Sequence, residues 1–513
     1  MKAHVILLAL VTPLIACTET ENISDSVAQR RPNIILLMAD DMGWGDTSYN
    51  GNLNLKTPNL DEMASAGLVF NRFYSAAPVC SPTRASVLTG RHPFRDKIFF
   101  AMVGDSPNAL EPHKFSLGQL MKDADYRTGF FGKWHLGAMT TEVVDGRYGG
   151  SGSEALYSPP WEHGFETVFA TESRVPTYDP YIRPRSQLGA DPQRHPMEEA
   201  MEDTKRGWWA PLDKPDDGIF FGTYYWKETG EKETRELTGD DSRILIDELI
   251  NFIEKDKGGE PFFAVVWFHT PHLPLVAGTL DQQAYSNFNF FDRTYYGAVS
   301  AMDREIGRLR SHLTEAGIAY ETALWFTSDN GPEGLLDIKP GQTQGLRERK
   351  RSLYEGGIRV PGIVEWSGRI KAGTRIDVPA VTSDILPTVV SWIGAELPPD
   401  RHLDGRNLDD IMSGVKTSRH SPIGFESQYQ MAWLDDRYKL VFVPRDLNAE
   451  ARKMARHSQN PATTFEFELY DIVKDPGETK DLATENPDII RQMSSELISW
   501  RNSVADSIKG PRH

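Results

Sequence analysis

The chain has 513 residues, 39% of them apolar and 25% charged, with a formal net charge of -17. That composition suffices for a sizeable core in one large or two unequal domains. The acidic balance excludes non-specific nucleic-acid binding and a basic membrane-facing surface, but it leaves room for a local cationic pocket.

The N-terminus carries Lys2, an apolar run from Val5 to Ile15, and then Ala16-Cys17. This is the pattern of an export signal, and the run is shorter than the ~20 apolar residues of a membrane-spanning helix. Leu14-Ile15-Ala16-Cys17 resembles a bacterial lipobox. The resemblance implies that residues 1–16 are removed and that Cys17 is lipidated; a plain signal peptide that happens to hold a cysteine is the alternative. Residues 17–30 are polar and read as a tether. No aspartate follows Cys17, so the expected place is the outer membrane of a bacterial envelope, facing the periplasm or the surface.

Asn33-Ile34-Ile35-Leu36-Leu37-Met38 is a near-continuous apolar run that stops at Asp40-Asp41. Such runs predict strands buried on both faces. Cys80 follows, with Pro82 suited to the first turn of a helix and Gly90 to its end. Helix N-termini favour anions, so a thiol there is expected to have a lowered pKa; a buried, inert cysteine is the other reading. Residues 127–132 form a second apolar run, ending in Lys133-Trp134-His135. About 140–235 is rich in Gly, Pro, Trp and Tyr and reads as elaborated loops over the active face. Helical spacing marks about 241–255. A third strand, 262–268, leads to His269 and His272. A helix over about 295–316 precedes Gly317, and a fourth strand, 323–327, ends in Ser328-Asp329-Asn330.

Alternating strands and helices imply an α/β fold, a large and mostly parallel sheet flanked by helices. Ligands then sit beyond the carboxyl ends of the strands, where the polar clusters fall. A catalytic domain is expected over 31–395. Past Pro398-Pro399 come short strands at 438–442 and 465–470 and a helix at about 488–504. These predict a smaller α+β subdomain with a short antiparallel sheet over 396–513.

Asp40, Asp41, Asp329 and Asn330 offer hard oxygen ligands suited to Ca²⁺ or Mg²⁺ rather than zinc. Either pair alone could equally be a solvated loop or a helix cap. Their repetition at equivalent strand ends favours a cation.

Together these segments carry a resemblance. Cys80-Ser81-Pro82-Thr83-Arg84, with Leu88-Thr89-Gly90-Arg91, resembles the signature of the type I, formylglycine-dependent sulfatases of the alkaline-phosphatase-like superfold. Asn33 to Gly43, Gly132-Lys133-Trp134-His135-Leu136-Gly137, Thr270-Pro271-His272, Thr327 to Gly331 and Lys350 with Tyr354-Glu355-Gly356-Gly357 resemble the family's other motifs, as does Leu469-Tyr470-Asp471. The resemblance implies that a formylglycine-generating or anaerobic maturating enzyme oxidises Cys80. The hydrated aldehyde would attack sulfur beside one Ca²⁺ held by Asp40, Asp41, Asp329 and Asn330, with residue 80 itself a ligand. A covalent sulfo-enzyme would follow. Lys133 and Lys350 would bind the sulfate, Arg84 would orient residue 80, His272 would protonate the leaving oxygen, with Lys350 a candidate to share that role, and His135 would deprotonate residue 80; His269 is a supporting residue.

Export and acidity suit scavenging of sulfated polysaccharides. Trp208, Trp209, Tyr224, Tyr225 and Trp226 could stack on sugars or serve as core. Arg174 is a substrate-binding candidate, and Arg183 and Arg185 could read further anionic groups. Thr171 to Thr177 resembles sequences of sulfatases that act on algal galactans such as carrageenan. Two other readings compete: a phosphomonoester, phosphodiester or phosphonate hydrolase of the same superfold, and a non-catalytic sugar-binding lipoprotein. Oligomeric state is not legible.

Overall fold

The computed structural model describes residues 31–102, 109–112, 115–146, 154–184, 207–255, 259–334, 338–398, 401–443 and 466–509. Cys17, the residue 1–16 segment, the tether and Arg185 lie outside them. Among the described residues, no helix is long and apolar enough to cross a membrane.

A nine-stranded sheet organises the catalytic layers. Its order is Thr374–Ile376, Leu68–Phe70, Gly362–Glu365, Thr322–Ser328, Asn33–Ala39, Phe262–Trp267, Arg127–Lys133, Thr167–Thr171 and Tyr225–Lys227. The five strands from Thr322–Ser328 to Thr167–Thr171 are mutually parallel; Gly362–Glu365 and Tyr225–Lys227 flank them antiparallel. The mostly parallel α/β fold is therefore as expected. Alternate residues of Asn33–Ala39 face opposite layers, which is why the sequence reads as unbroken apolar. Ile35 and Leu37 pack with the helices Asp241–Lys255 and Phe290–Glu315. Ile34, Leu36 and Met38 pack with Cys80–Thr89, Leu117–Asp123 and Ile385–Ile393.

The long helix begins at Phe290, five residues before the predicted start. Asn289 explains this: its side chain accepts the backbone N–H groups of Phe291 and Asp292, the bonding of a helix N-cap.

Beyond these layers, Ile423–Ser427, Gln430–Leu434, Tyr438–Phe442 and Glu468–Asp471 form an antiparallel four-stranded sheet. One face is covered by the terminal helix Pro487–Lys509, through Met493 and Leu497. The other covers Leu353, Tyr354 and Ile358 of the Lys350 segment. The small sheet thus braces the catalytic domain.

Candidate active site

All five parallel strands deliver a candidate residue at or just beyond their carboxyl ends: Asp329, Asp40, His272, Lys133 and Arg174. The strand ends are locked together, since Asp329 N–H donates to the Ala39 carbonyl at 3.1 Å and Asp40 N–H to the Thr270 carbonyl at 3.0 Å. Gly132 has φ 99°, and a Cβ there would meet the Trp267 carbonyl oxygen at 2.0 Å. Only glycine allows this close approach, which sets Lys133 beside the neighbouring strand. Asp41, at φ 69°, turns back over the cluster in the left-handed region.

Cys80 is the first residue of the Cys80–Thr89 helix and is buried. Its Sγ lies 3.5 Å from Asp40 Oδ1 and 3.6 Å from Lys350 Nζ. Ligand atoms of Asp40, Asp41, Cys80 and His272 all lie within 4.8 Å of one another. Lys133 donates to Asp40 Oδ2 at 2.5 Å and Lys350 to Asp41 Oδ1 at 2.5 Å. His272 Nε2 is 3.7 Å from Asp41 Oδ2.

Arg84 is buried beside residue 80, whose charge acts on it, and it is held by the surrounding cluster. Its Nε and Nη2 grip Asp329 Oδ2 at 3.1 and 2.7 Å, and Nη1 donates to the Lys133 carbonyl at 2.7 Å. It positions the carboxylate and lysine that border the cluster. Asp329 reaches Asp41 through the Asp41 N–H, which donates to its Oδ1 at 3.1 Å.

The electrostatics of the cluster follow from burial first. Burial pushes the Cys80 thiol up, and Asp329 adds to the rise. The expected lowered thiol pKa is thus overturned: the helix dipole is outweighed by desolvation beside carboxylates. As a thiol, residue 80 is a poor nucleophile. Burial alone would raise Asp40, but Lys133, His272, Arg84 and Lys350 together hold it well below the usual range. Asp41 is raised by burial despite Lys350, and Asp329 is pushed up to about 7 by burial and by Asp40.

Three crowded carboxylates, two of which resist ionisation, are what a divalent cation relieves. A further sign is Asn330: its Nδ2 donates to Asp41 Oδ1 at 2.7 Å, while its buried Oδ1 lacks a hydrogen-bond partner. An unsatisfied buried acceptor on a side chain that lies against a carboxylate fits a hard metal ion. Asp40, Asp41, Asp329 and Asn330 therefore suit Ca²⁺.

His272 Nδ1 must donate to the Leu273 carbonyl, 2.5 Å away, because that oxygen only accepts. Nε2 is then the ring atom turned to the site. Burial, aided by Lys133, Lys350 and Arg174, holds the imidazole well below its usual pKa against the pull of Asp40. His135 Nε2 lies 3.1 Å from the Met102 carbonyl oxygen. His269 is fully engaged, with Asp241 Oδ2 and Thr171 Oγ1 each at 2.7 Å.

Of the aromatic residues offered for sugar stacking, Trp208, Trp209, Tyr225 and Trp226 are buried in the two main cores. Of the two readings, core is the one that holds for these four. Tyr224 is half-buried, with Lys232 Nζ 4.4 Å above its ring. Arg183 is buried on the short strand Ile182–Pro184.

The residues missed by sequence reasoning are Glu333 and Arg351, which border Lys350. Glu333 acts on both Asp41 and Lys350. No spacing in the sequence marks them.

A family model described as Sulfatase matches residues 32–395, and one described as N-sulphoglucosamine sulphohydrolase, C-terminal, matches 347–503. The steryl-sulfatase of Rattus norvegicus is 31% identical over 438 residues, covering 76% of this chain and 72% of its own length. The N-acetylgalactosamine-6-sulfatase of Sus scrofa is 30% identical, covering 93% and 87%. A crystal structure of Ps i-CgsB in complex with k-i-k-neocarrahexaose superposes with a TM-score of 0.71 at 26% identity, covering 92% of this chain and 93% of that one.

Proposed function

Because the chain belongs to the sulfatase family, of alkaline-phosphatase-like fold, and is a sulfuric ester hydrolase, we propose that it desulfates carrageenan-type algal galactans or their oligosaccharides. The observation that carries the reading is the convergence of Lys133, Lys350 and His272 on Asp40, Asp41 and Cys80. The bound carbohydrate of the Ps i-CgsB structure supports the galactan class.

In this reading Cys80 is a precursor, converted by a maturation enzyme to formylglycine, whose hydrated form supplies an oxygen nucleophile. Asp40, Asp41, Asp329 and Asn330 would hold Ca²⁺, which when bound acts as a Lewis acid and offsets sulfate charge. Lys133 and Lys350, fixed by buried carboxylates on two sides of residue 80, offer ammonium donors to the non-bridging sulfate oxygens. They cost little reorganisation, because the fold already holds them in place. Arg84 keeps Asp329 and the Lys133 backbone in register.

His272 delivers a proton from Nε2 to the departing sugar oxygen, as a general acid. The incoming sulfate brings the negative charge that favours the imidazolium. His135, whose Nε2 lies 3.1 Å from the Met102 carbonyl oxygen, takes a proton from residue 80. Arg174 stands near His272, where its charge acts on the imidazole, and contacts the anionic substrate. We infer too that the N-terminal segment exports the chain and tethers it through Cys17 to the outer membrane.

The test is sulfate release by matured protein from defined sulfated oligosaccharides, run beside an aryl sulfate and an aryl phosphate. Desulfation of galactan oligosaccharides supports the reading. Faster hydrolysis of the phosphate than of every sulfate overturns it.

A further inference from the structure

Arg351 directly follows Lys350, and its backbone has φ 79°. That left-handed conformation favours glycine, and other residues keep it only where the surroundings enforce it. Here they do. The Arg351 N–H donates to the Pro78 carbonyl at 2.9 Å, two residues before Cys80. Its carbonyl accepts from Gln430 Nε2 of the C-terminal sheet at 2.6 Å. The backbone is thus pinned between the residue-80 loop and the small sheet, and the position would be served at lower strain by glycine.

The side chain must then justify the arginine. It is 43% exposed, against 4% for Lys350, so it lies at the rim where the lysine lies inside. Its Nη1 and Nη2 fork onto Glu333 Oε1 and Oε2 at 2.6 and 2.7 Å. Its charge is within range of both Asp41 and Cys80. Glu333 is itself fixed, accepting the Gly334 N–H at 2.8 Å.

We propose that Arg351 and Glu333 form a subsite at the mouth of the active site that reads hydroxyl groups of the sugar ring carrying the scissile sulfate. The inference rests on the carbohydrate reading above. An isolated arginine would be read as a site for a second anion. This one is already neutralised by a bidentate carboxylate, and a second anion would have to sit against Glu333. A neutral pair that keeps both donors and acceptors matches a polyol instead. The fork uses two of the five guanidinium N–H groups, which leaves donors for sugar oxygens.

Matured wild type, Arg351→Gly and Glu333→Gln are compared on 4-nitrophenyl sulfate, mono-sulfated galactan oligosaccharides and di-sulfated ones. Arg351→Gly relieves the backbone, so its melting temperature holds or rises. The ratio of kcat/KM on the mono-sulfated sugar to that on the aryl sulfate falls by about tenfold or more, mainly through KM. Glu333→Gln leaves the arginine unneutralised and raises the preference for di-sulfated over mono-sulfated sugar. Ratios within twofold of wild type in both variants overturn the inference, whether the rates fall together or stay. Wild type that hydrolyses the aryl sulfate but no sugar sulfate overturns the carbohydrate reading, and the inference with it.

Discussion

Lys439 Nζ lies 2.9 Å from Glu355 Oε1 and 2.9 Å from Glu478 Oε1, with all three side chains shielded from solvent. Lys439 belongs to the C-terminal sheet, whereas Glu355 opens the Gly356-Gly357 turn five residues after Lys350. Tyr74 also donates to Glu355, at 3.0 Å. The turn is tight: a Cβ on Gly356 would sit 2.1 Å from the Glu348 carbonyl oxygen. The small subdomain therefore holds the catalytic lysine segment through a buried charge.

Removing that charge leaves Glu478 buried without this counter-ion and Glu355 with only its longer, 3.5 Å pair to Arg359. Lys439→Met is expected to lose about 3–5 kcal/mol of stability, read by denaturant unfolding, with activity falling alongside. A loss below about 1 kcal/mol, the range of exposed pairs, would show that the cluster does not brace the domain.

Acid sensitivity is expected from His92. It is buried edge-on against Phe94 and Trp500, and burial lowers its pKa to about 3. The charged groups around it are Arg95, Asp404, His402 and Glu426. The folded pKa lies below the unfolded value of about 6.5, so the unfolded chain binds the proton first as pH falls. His92 thus contributes stability that is full above about 6.5 and is lost towards about 3, at about 1.4 kcal/mol per pH unit. Carboxylates paired in the fold also weaken there, so the readout is a difference. Stability of His92→Phe should fall less steeply than that of the parent between pH 6.5 and pH 4.5, the upper part of that window. Parallel slopes would contradict the assignment.

Calcium should raise the melting temperature of the metal-free protein, and a chelator should reverse the rise. At a hundredfold excess over Kd the gain is about 2.7 kcal/mol. Asp41→Asn and Asn330→Ala should each weaken the dependence, since one removes a carboxylate and the other the unsatisfied oxygen. A melting temperature indifferent to calcium would contradict the oxygen-ligand site.

A general acid matters most for poor leaving groups. His272→Ala should cost about a hundredfold or more in kcat on a sugar sulfate. The loss on 4-nitrophenyl sulfate, whose leaving group needs little protonation, should be much smaller. Equal losses would place the role of His272 in binding.

The central strands were legible because burial on both faces writes itself as unbroken apolar runs, as in Phe262–Trp267. Polar residues at their ends then located the site. Leu68–Phe70 and Thr374–Ile376 were not legible, since three residues carry no period. The sign of the Cys80 shift was missed because position on a helix is visible in sequence, whereas burial among carboxylates is not. Trp226 shows the same limit: its indole donates to Asp145 at 2.5 Å inside the core, and composition alone could not separate that from a sugar platform. The pairing of Arg351 with Glu333, like that of Lys439 with Glu355, joins segments whose proximity only the fold creates.

The most direct test of the account is sulfate release by protein co-expressed with a maturation enzyme, compared with Cys80→Ala, with the residue-80 peptide weighed by mass spectrometry. The account predicts an aldehyde in place of the thiol, sulfate release by the wild type, and a loss of at least about a thousandfold in the variant. Undiminished sulfate release by Cys80→Ala, or full activity with an unmodified thiol, would contradict it.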